Sequence, residues 1–367
     1  MTGKKAANHT YIKARIYGIT FSELRKISCV RIIVCMILVI VKICTSVSAF
    51  GIGISYEDEM KNIYIAEYRD LPLEETYEAV SERMAHYDEI SAQEYVSAMA
   101  AKRVRGDISH EEYDAYRAEL EKSRTYKDTL LVYQTELESL LEKADKSGIE
   151  AKPVMSTGFS ILLARDFEVT AALMFIVLFS GLYSREYETG SIALLRTAKR
   201  GRERVFFTKA AETACISLIV SLAFSLLDII LTFKNYDMSF VGSPLFAIKG
   251  YTDTSSGITV GRYLALVTVL RAVGYMLLGL LISALSGALK SEWGAAGVTL
   301  LLFIPYLLRG LGIKMFEAVD ITTMLSADRL YLLSTSWGGL AGLVLIILGW
   351  SAVTAAVYYR SYRSFCK

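Results

Sequence analysis

The sequence predicts an all-α integral membrane protein, with six transmembrane helices and a helical extracellular domain inserted between the first and second. Three observations predict it. Hydrophobic residues make up 53% of the 367 positions, with a mean hydropathy of +0.37, above what a soluble core of this size needs. Six apolar runs approach the length of about 20 residues that a bilayer demands. One long hydrophilic stretch interrupts them, and its charge differs in sign from that of the short connections.

The runs occupy residues 32–54, 167–183, 206–233, 263–289, 294–312 and 337–359. The second is short. The fifth contains Pro305, which is expected to kink it because proline removes a helical donor and crowds the preceding turn. A cleaved signal peptide is the weaker reading of the first run: small residues at Ser46–Ala49 suit cleavage, but about 30 residues precede the apolar stretch.

Lysine and arginine in short loops mark the cytoplasmic side. The basic amphipathic N-terminal segment, residues 1–31, carries Lys4, Lys5, Lys13, Arg15, Arg25, Lys26 and Arg31 against the single acid Glu23. The 184–205 connection is also strongly basic, and the 360–367 tail holds Arg360, Arg363 and Lys367 with no acid. An even number of spans then leaves both termini cytoplasmic. Trp293 and Trp337 fall where an interfacial aromatic belt belongs.

Residues 55–166 form the expected extracellular domain. Tyr126, Leu130, Tyr133, Leu137 and Leu140 recur at spacings of four and three, which places them on one helical stripe. Ser109 with Glu112 has the form of a capping box. Acids outnumber Lys and Arg here by nearly two to one, a pattern of a solvated surface or of a face for a cationic peptide.

Chemistry of the catalytic or metal-dependent kind has no footing in the residues. His9, His86 and His110 are far apart, and the five cysteines show no ligand spacing. No Ser/His/Asp, His/Glu or Cys/His grouping suggests an active site, so no catalytic residue and no metal site is assigned. A phosphate-binding loop is also missing, because the only Gly-Lys pair, Gly3-Lys4, lacks its companions. Nucleic acid is not an expected partner.

Three ionisable residues, Lys42, Asp228 and Arg271, fall well inside predicted spans, with Glu212 and Arg309 nearer span ends. Each costs at least about 2.5 kcal/mol at depth unless it faces protein or water, so pairing is expected, with Asp228 and Arg271 as candidates. Gly279, Ser283 and Gly287, and likewise Gly338 and Gly342, recur at every fourth residue, the spacing that lets helices pack closely.

The most informative stretch is FSGLYSREYETGSIALLRTAKRGRERVFFTKAAE, residues 179–212. Its acids Glu186 and Glu188, Gly190, the apolar run 192–195, the basic cluster 196–204 and Lys209 resemble the corresponding loop of ABC-2-type transporter permease subunits. The order of a basic N-terminal segment, a span, a large outer loop and five more spans agrees with that resemblance. Many members have proline before the basic cluster, where this chain has Ala198.

The resemblance implies a coupling helix that docks on a separate cytoplasmic ABC ATPase through Arg185, Glu186, Glu188, Gly190, Ser191, Arg196, Arg200, Arg202 and Arg204. It implies a second permease copy or homologue completing the path, ATP used by the partner and no cofactor on this chain, and export as the direction. Independently, Ile192, Leu195 and Ala198 or Lys199 share one helical face, while Arg196, Arg200 and Glu203 or Arg204 share another. A basic interfacial helix of that kind can also touch anionic membrane lipid. The alternative is a receptor or sensor component whose extracellular domain binds a peptide or partner protein.

Overall fold

The computed structural model describes residues 29–51, 56–68, 70–152, 162, 168–197, 201–235, 241–248, 251, 258–311, 321–326 and 340–366. These residues are mostly helical, and no strand occurs among them beyond an isolated antiparallel bridge between Pro244 and Thr259. They divide into two units. One contains Met1–Ala49, Ala164–Asp228 and Val267–Lys367, and the other contains Phe50–Leu163 and Ile229–Leu266.

The second unit is built from α2 (Tyr56–Glu67), α3 (Leu73–Ser91), α4 (Gln93–Arg105) and α5 (His110–Ser147). α3 begins after Pro72, with Glu74 and Glu75 in its first turn, where acids favour the positive end of the helix. α4 ends on Gly106 at φ 78°, with Lys102, Arg103 and Arg105 in its last turn. The expected capping box starts α5: the Glu112 amide donates to Ser109 Oγ at 3.1 Å, and the Ser109 amide donates to Glu112 Oε2 at 2.8 Å.

α3 and α5 run antiparallel, with Ile90 meeting Tyr116 at one end and Leu73 facing Leu141 near the other. Leu130, Tyr133, Leu137 and Leu140 bury their stripe against Val80, Met84 and Tyr87, while Tyr126 is partly buried. Ion pairs sit around this core, among them Lys61–Glu136 and Arg83–Glu67 at 2.7 Å. A short 3-10 turn, Leu245–Ala247, also belongs to the unit and seats Phe246 in the same core. Its chain is held by the Leu245 amide donating to the Ile258 carbonyl at 2.9 Å and the Val260 amide donating to that of Ser243 at 2.9 Å.

The first unit contains α1 (Cys29–Gly51), α6 (Val169–Phe179), α7 (Ser184–Glu188), α8 (Ser191–Thr197), most of α9 (Gly201–Asn235), most of α10 (Val260–Leu289), α11 (Glu292–Leu301), α12 (Ile304–Gly310) and α13 (Leu340–Cys366). Four described segments are long and apolar enough to cross a membrane: Val169–Glu188, Glu203–Lys234, Val260–Leu289 and Val344–Cys366. Glu292–Leu308 is a shorter apolar helix, and it breaks between Leu301 and Ile304, just before Pro305, as the missing proline donor requires.

Several ends differ from the expected boundaries. The apolar run expected to stop at residue 183 continues through turns into α7 and reaches Glu188. α13 continues to Cys366 through the stretch expected as a tail, because Phe365 is buried among Tyr183 and Phe206.

Polar positions line the inner face of α9. Lys209, Thr213, Ser217 and Ser221 recur at every fourth residue, followed by Asp228 and Thr232, and all are buried. Its outer face shows Ile219, Leu226 and Ile230. α10 packs with similar closeness. A Cβ on Gly279 would run into Ser217 and approach Phe179 to 3.2 Å, and one on Gly287 would run into Ser361 and come 3.3 Å from Tyr183 Cβ. Between them Ser283 Oγ meets Tyr358 Oη at 2.8 Å. This stripe therefore serves close helix contact. Gly342 lies in α13, and Gly338 lies outside the described residues.

Candidate functional site

The segment joining α6 to α9 is anchored from below and open above. Where α6 ends, the freed amides of Tyr183 and Ser184 both donate to Ser286 Oγ, at 3.1 and 3.0 Å. Tyr183, fully buried, donates its hydroxyl to the Phe206 carbonyl at 2.8 Å and packs edge-on against Phe365. Glu186 pairs with Lys209, whose ammonium also donates to the Leu182 carbonyl at 2.8 Å. These contacts tie α7 to the start of α9 and the end of α13.

Gly190 turns the chain between α7 and α8 at φ +72°, a conformation that L side chains resist. Thr189 supports the turn by donating to the Arg185 carbonyl at 2.7 Å. α8 then points Ile192 and Leu195 toward the Tyr183–Phe206–Phe365 cluster and leaves Leu194 76% exposed. Two of the residues expected on the apolar face thus share it, while Ala198 and Lys199 lie outside the described residues.

The expected docking residues separate into three groups. Glu188, Gly190 and Arg204 are exposed, and Arg185 and Ser191 are partly so. Glu186 is turned inward, only 6% exposed and committed to Lys209, so it is not part of the surface where its sequence position put it. The physical reason is its place on α7: an inward-facing carboxylate is neutralised there by Lys209, about two turns into α9. Arg200 lies outside the described residues, as do the side chains of Arg196 and Arg202.

A second polar layer ties this segment to its neighbours. Arg31 pairs with Glu292, and its guanidinium lies so close over Gly181 that a Cβ there would sit 2.8 Å from Nη1. Glu188 accepts from the Glu292 amide at 3.3 Å, adding to the Ser291 cap at the start of α11. The link from α10 to α11 is made by Lys290, at φ 56°, with its ammonium 5.3 Å from the Tyr187 ring centre.

Farther along the same unit, the Lys42 ammonium of α1 reaches the Asp228 carboxylate. This ammonium is 0% exposed and donates to Asp228 Oδ2 at 2.8 Å, to Oδ1 at 3.0 Å and to Glu168. Ser46 donates to Asp228 at 3.0 Å, and the Phe224 ring centre lies 5.7 Å from the ammonium. Tyr275 Oη accepts from the Glu168 amide at 3.0 Å. Arg271, one turn before Tyr275 on α10, is also buried. Depth along a helix is readable from sequence, but which helix faces it at that depth is a packing outcome, and α1 supplies the cation here.

Glu168 and Ser46 were not singled out beforehand. The available signal for Glu168 was an acid at the mouth of an apolar run, where its side chain could have capped the helix. It makes no such cap and reaches Lys42 instead. In the second unit, Glu74, Asp145 and Glu150 border a cleft of about 370 Å³ floored by Leu73, Leu141 and Ile149.

Among the described residues no group of three or more His, Cys, Asp or Glu is placed to hold a metal ion. The α7–α8 surface offers shape, one exposed leucine and charge on an anchored frame, and the Lys42 cluster offers buried, mutually neutralising charge. No family model matches the chain, and no curated protein and no solved structure matches it.

Proposed function

We propose that this chain is the membrane-spanning permease subunit of an ABC transporter of the ABC-2 type. In this reading it crosses a bacterial plasma membrane six times, with both termini cytoplasmic and the Tyr56–Ser147 helices outside the cell. Two permease halves enclose the path, a separate ATPase supplies the energy, and the direction is export.

The observation that supports the reading best is the build of the α7–α8 segment. Its inward side is fastened by Glu186–Lys209, by Tyr183 on Phe206 and by the Ser286 hydroxyl. Its outward side carries Leu194 in solvent, and Arg204, at the start of α9, is exposed as well. A surface meant to receive force needs this combination, because a loosely held loop would absorb displacement instead of passing it to α6 and α9. The basic cluster at 196–204 adds electrostatic attraction to an acidic groove on the ATPase.

Charge reversal tests it. Arg200→Glu with Arg202→Glu is expected to lower co-purification of the ATPase at least tenfold, with the melting profile of the permease unchanged. Full retention of the ATPase by the doubly reversed, folded protein removes the docking assignment.

A further inference from the structure

Where Leu73 faces Leu141 in the second unit, the α3–α5 hairpin holds a cleft of about 370 Å³, and local bonds fix both of its walls. On one side α3 begins after Pro72, whose carbonyl accepts from the Thr76 amide and from the Thr76 hydroxyl, each at 2.9 Å. On the other, Gly148 ends α5 at φ 62°, and the chain turns back so that the Ile149 amide donates to the Ala144 carbonyl at 3.3 Å. A helix end of this form commonly closes with an apolar contact between those two positions. Here Ala144 brings only a methyl group, so Ile149, Leu141 and Leu73 line a gap that they do not fill.

The charge around the gap has one sign. Glu74, Asp145 and Glu150 stand at its rim, all three exposed, and among the described residues no lysine or arginine lines it. None of these carboxylates is held in an ion pair among those residues, whereas the neighbouring Lys146 is committed to Glu142. The last carbonyls of α5 add partial negative charge, and Glu74 offsets the positive end of α3. A recess with an apolar floor and an anionic rim favours an occupant that is apolar at one end and cationic at the other.

We propose that this cleft binds a small organic ammonium ion carried on an apolar body. The body lies on Leu73, Leu141 and Ile149, and the ammonium sits among Glu74, Asp145 and Glu150. The volume is at the lower end for small-ligand sites and suits a single aryl-alkyl amine. A folded protein partner would need a far broader face, about 800 Å² on each side, so the occupant is a free small molecule. Recess and floor define the site, and the carboxylates select the sign of its ligand. The cleft lies wholly within the second unit and is independent of ATPase docking.

Methyl NMR on the full-length protein in lipid nanodiscs tests this with three probes that share a ring and differ in charge: phenethylamine, phenethyl alcohol and phenylacetate. Phenethylamine is expected to shift the methyl signals of Leu73, Leu141, Ala144 and Ile149 saturably, about fivefold more tightly than the alcohol, with phenylacetate weaker still. Asp145→Asn with Glu150→Gln is expected to bring amine and alcohol within about twofold of each other, by weakening the amine alone. Ala144→Leu fills the gap and is expected to weaken amine and alcohol alike by about fivefold. The Asp145 and Glu150 substitutions, both at exposed positions, decide the matter by themselves where Ala144→Leu disturbs the hairpin. Equal binding of amine and alcohol in the unaltered chain, amine shifts confined to methyl groups elsewhere, or a preference for the amine that survives neutralisation would each overturn the proposal. A lysine–leucine pentapeptide that binds more than about tenfold tighter than the amine would assign the cleft to a peptide and overturn it as well.

Discussion

The two units solve burial in opposite senses. In the Tyr56–Ser147 unit the interior is Leu130, Tyr133, Leu137, Val80 and Met84, with charges outside. In the unit holding α6, α13 and most of α9 and α10, large apolar groups such as Ile219, Leu226 and Leu345 face outward, and Lys42, Ser217, Ser221, Asp228 and Ser286 lie inside. Water rewards the first arrangement through the hydrophobic effect. The second gains nothing from water, but in lipid the outward apolar face costs nothing and each polar group must find its partner within the protein. The contrast teaches that one chain is written for two solvents, and each unit can be tested in its own terms.

The largest expected effect lies at the inverted interior. Lys42→Met removes the ammonium that Asp228 and Glu168 share and should lower stability by about 3–5 kcal/mol. Thermal unfolding in detergent is the measurement, and Lys42→Met with Asp228→Asn should recover most of the loss. An undiminished melting temperature for the single variant would mean that the buried charges are not interdependent.

In the water-type core, Leu137→Ala should cost about 2–4 kcal/mol through lost burial and a residual cavity. Its effect should appear in helical signal from the second unit, and a loss confined to the membrane helices would break the comparison.

Close helix contact comes next. Gly279→Ala puts a methyl where Ser217 Oγ lies and should cost about 1–3 kcal/mol, whereas Gly297→Ala, with open space around it, should be near neutral. Melting curves of the two variants provide the check.

The smallest effect has the opposite sign. Tyr133 is buried with a hydroxyl that finds no partner among the described residues, so Tyr133→Phe should stabilise the second unit by about 1 kcal/mol. Burial also pushes the Tyr133 phenol above its usual range, as it does for Tyr64. A raised folded value means that stability is complete below the unfolded pKa of about 10 and declines as pH rises beyond it. An alkaline titration followed by circular dichroism should show that decline, shallower in Tyr133→Phe.

Much of this was legible from residues. The stripe from Leu130 to Leu140, the Ser109–Glu112 box and the break before Pro305 follow from short-range rules of period, capping and donor loss. The small-residue spacing of α10 was likewise readable, though its partners Ser217 and Ser361 were not. The candidate site was legible as a composition more than as an arrangement. Glu186 and Lys209 belong to one motif, yet only folding made them a pair and took Glu186 off the surface.

By itself, the sequence determined that the described segments are mostly helical, that four of its apolar runs are long enough for lipid, and that Lys42 and Asp228 needed partners, because these depend on local period and on the free energy of single groups. Tertiary structure alone decided that Lys42 meets Asp228 and Glu168, that Phe246 enters the core of the helical hairpin, and that the polar face of α9 turns inward. Those outcomes depend on which helices pass beside each other at a given level, and the chain settles that only when all of its faces are packed at once.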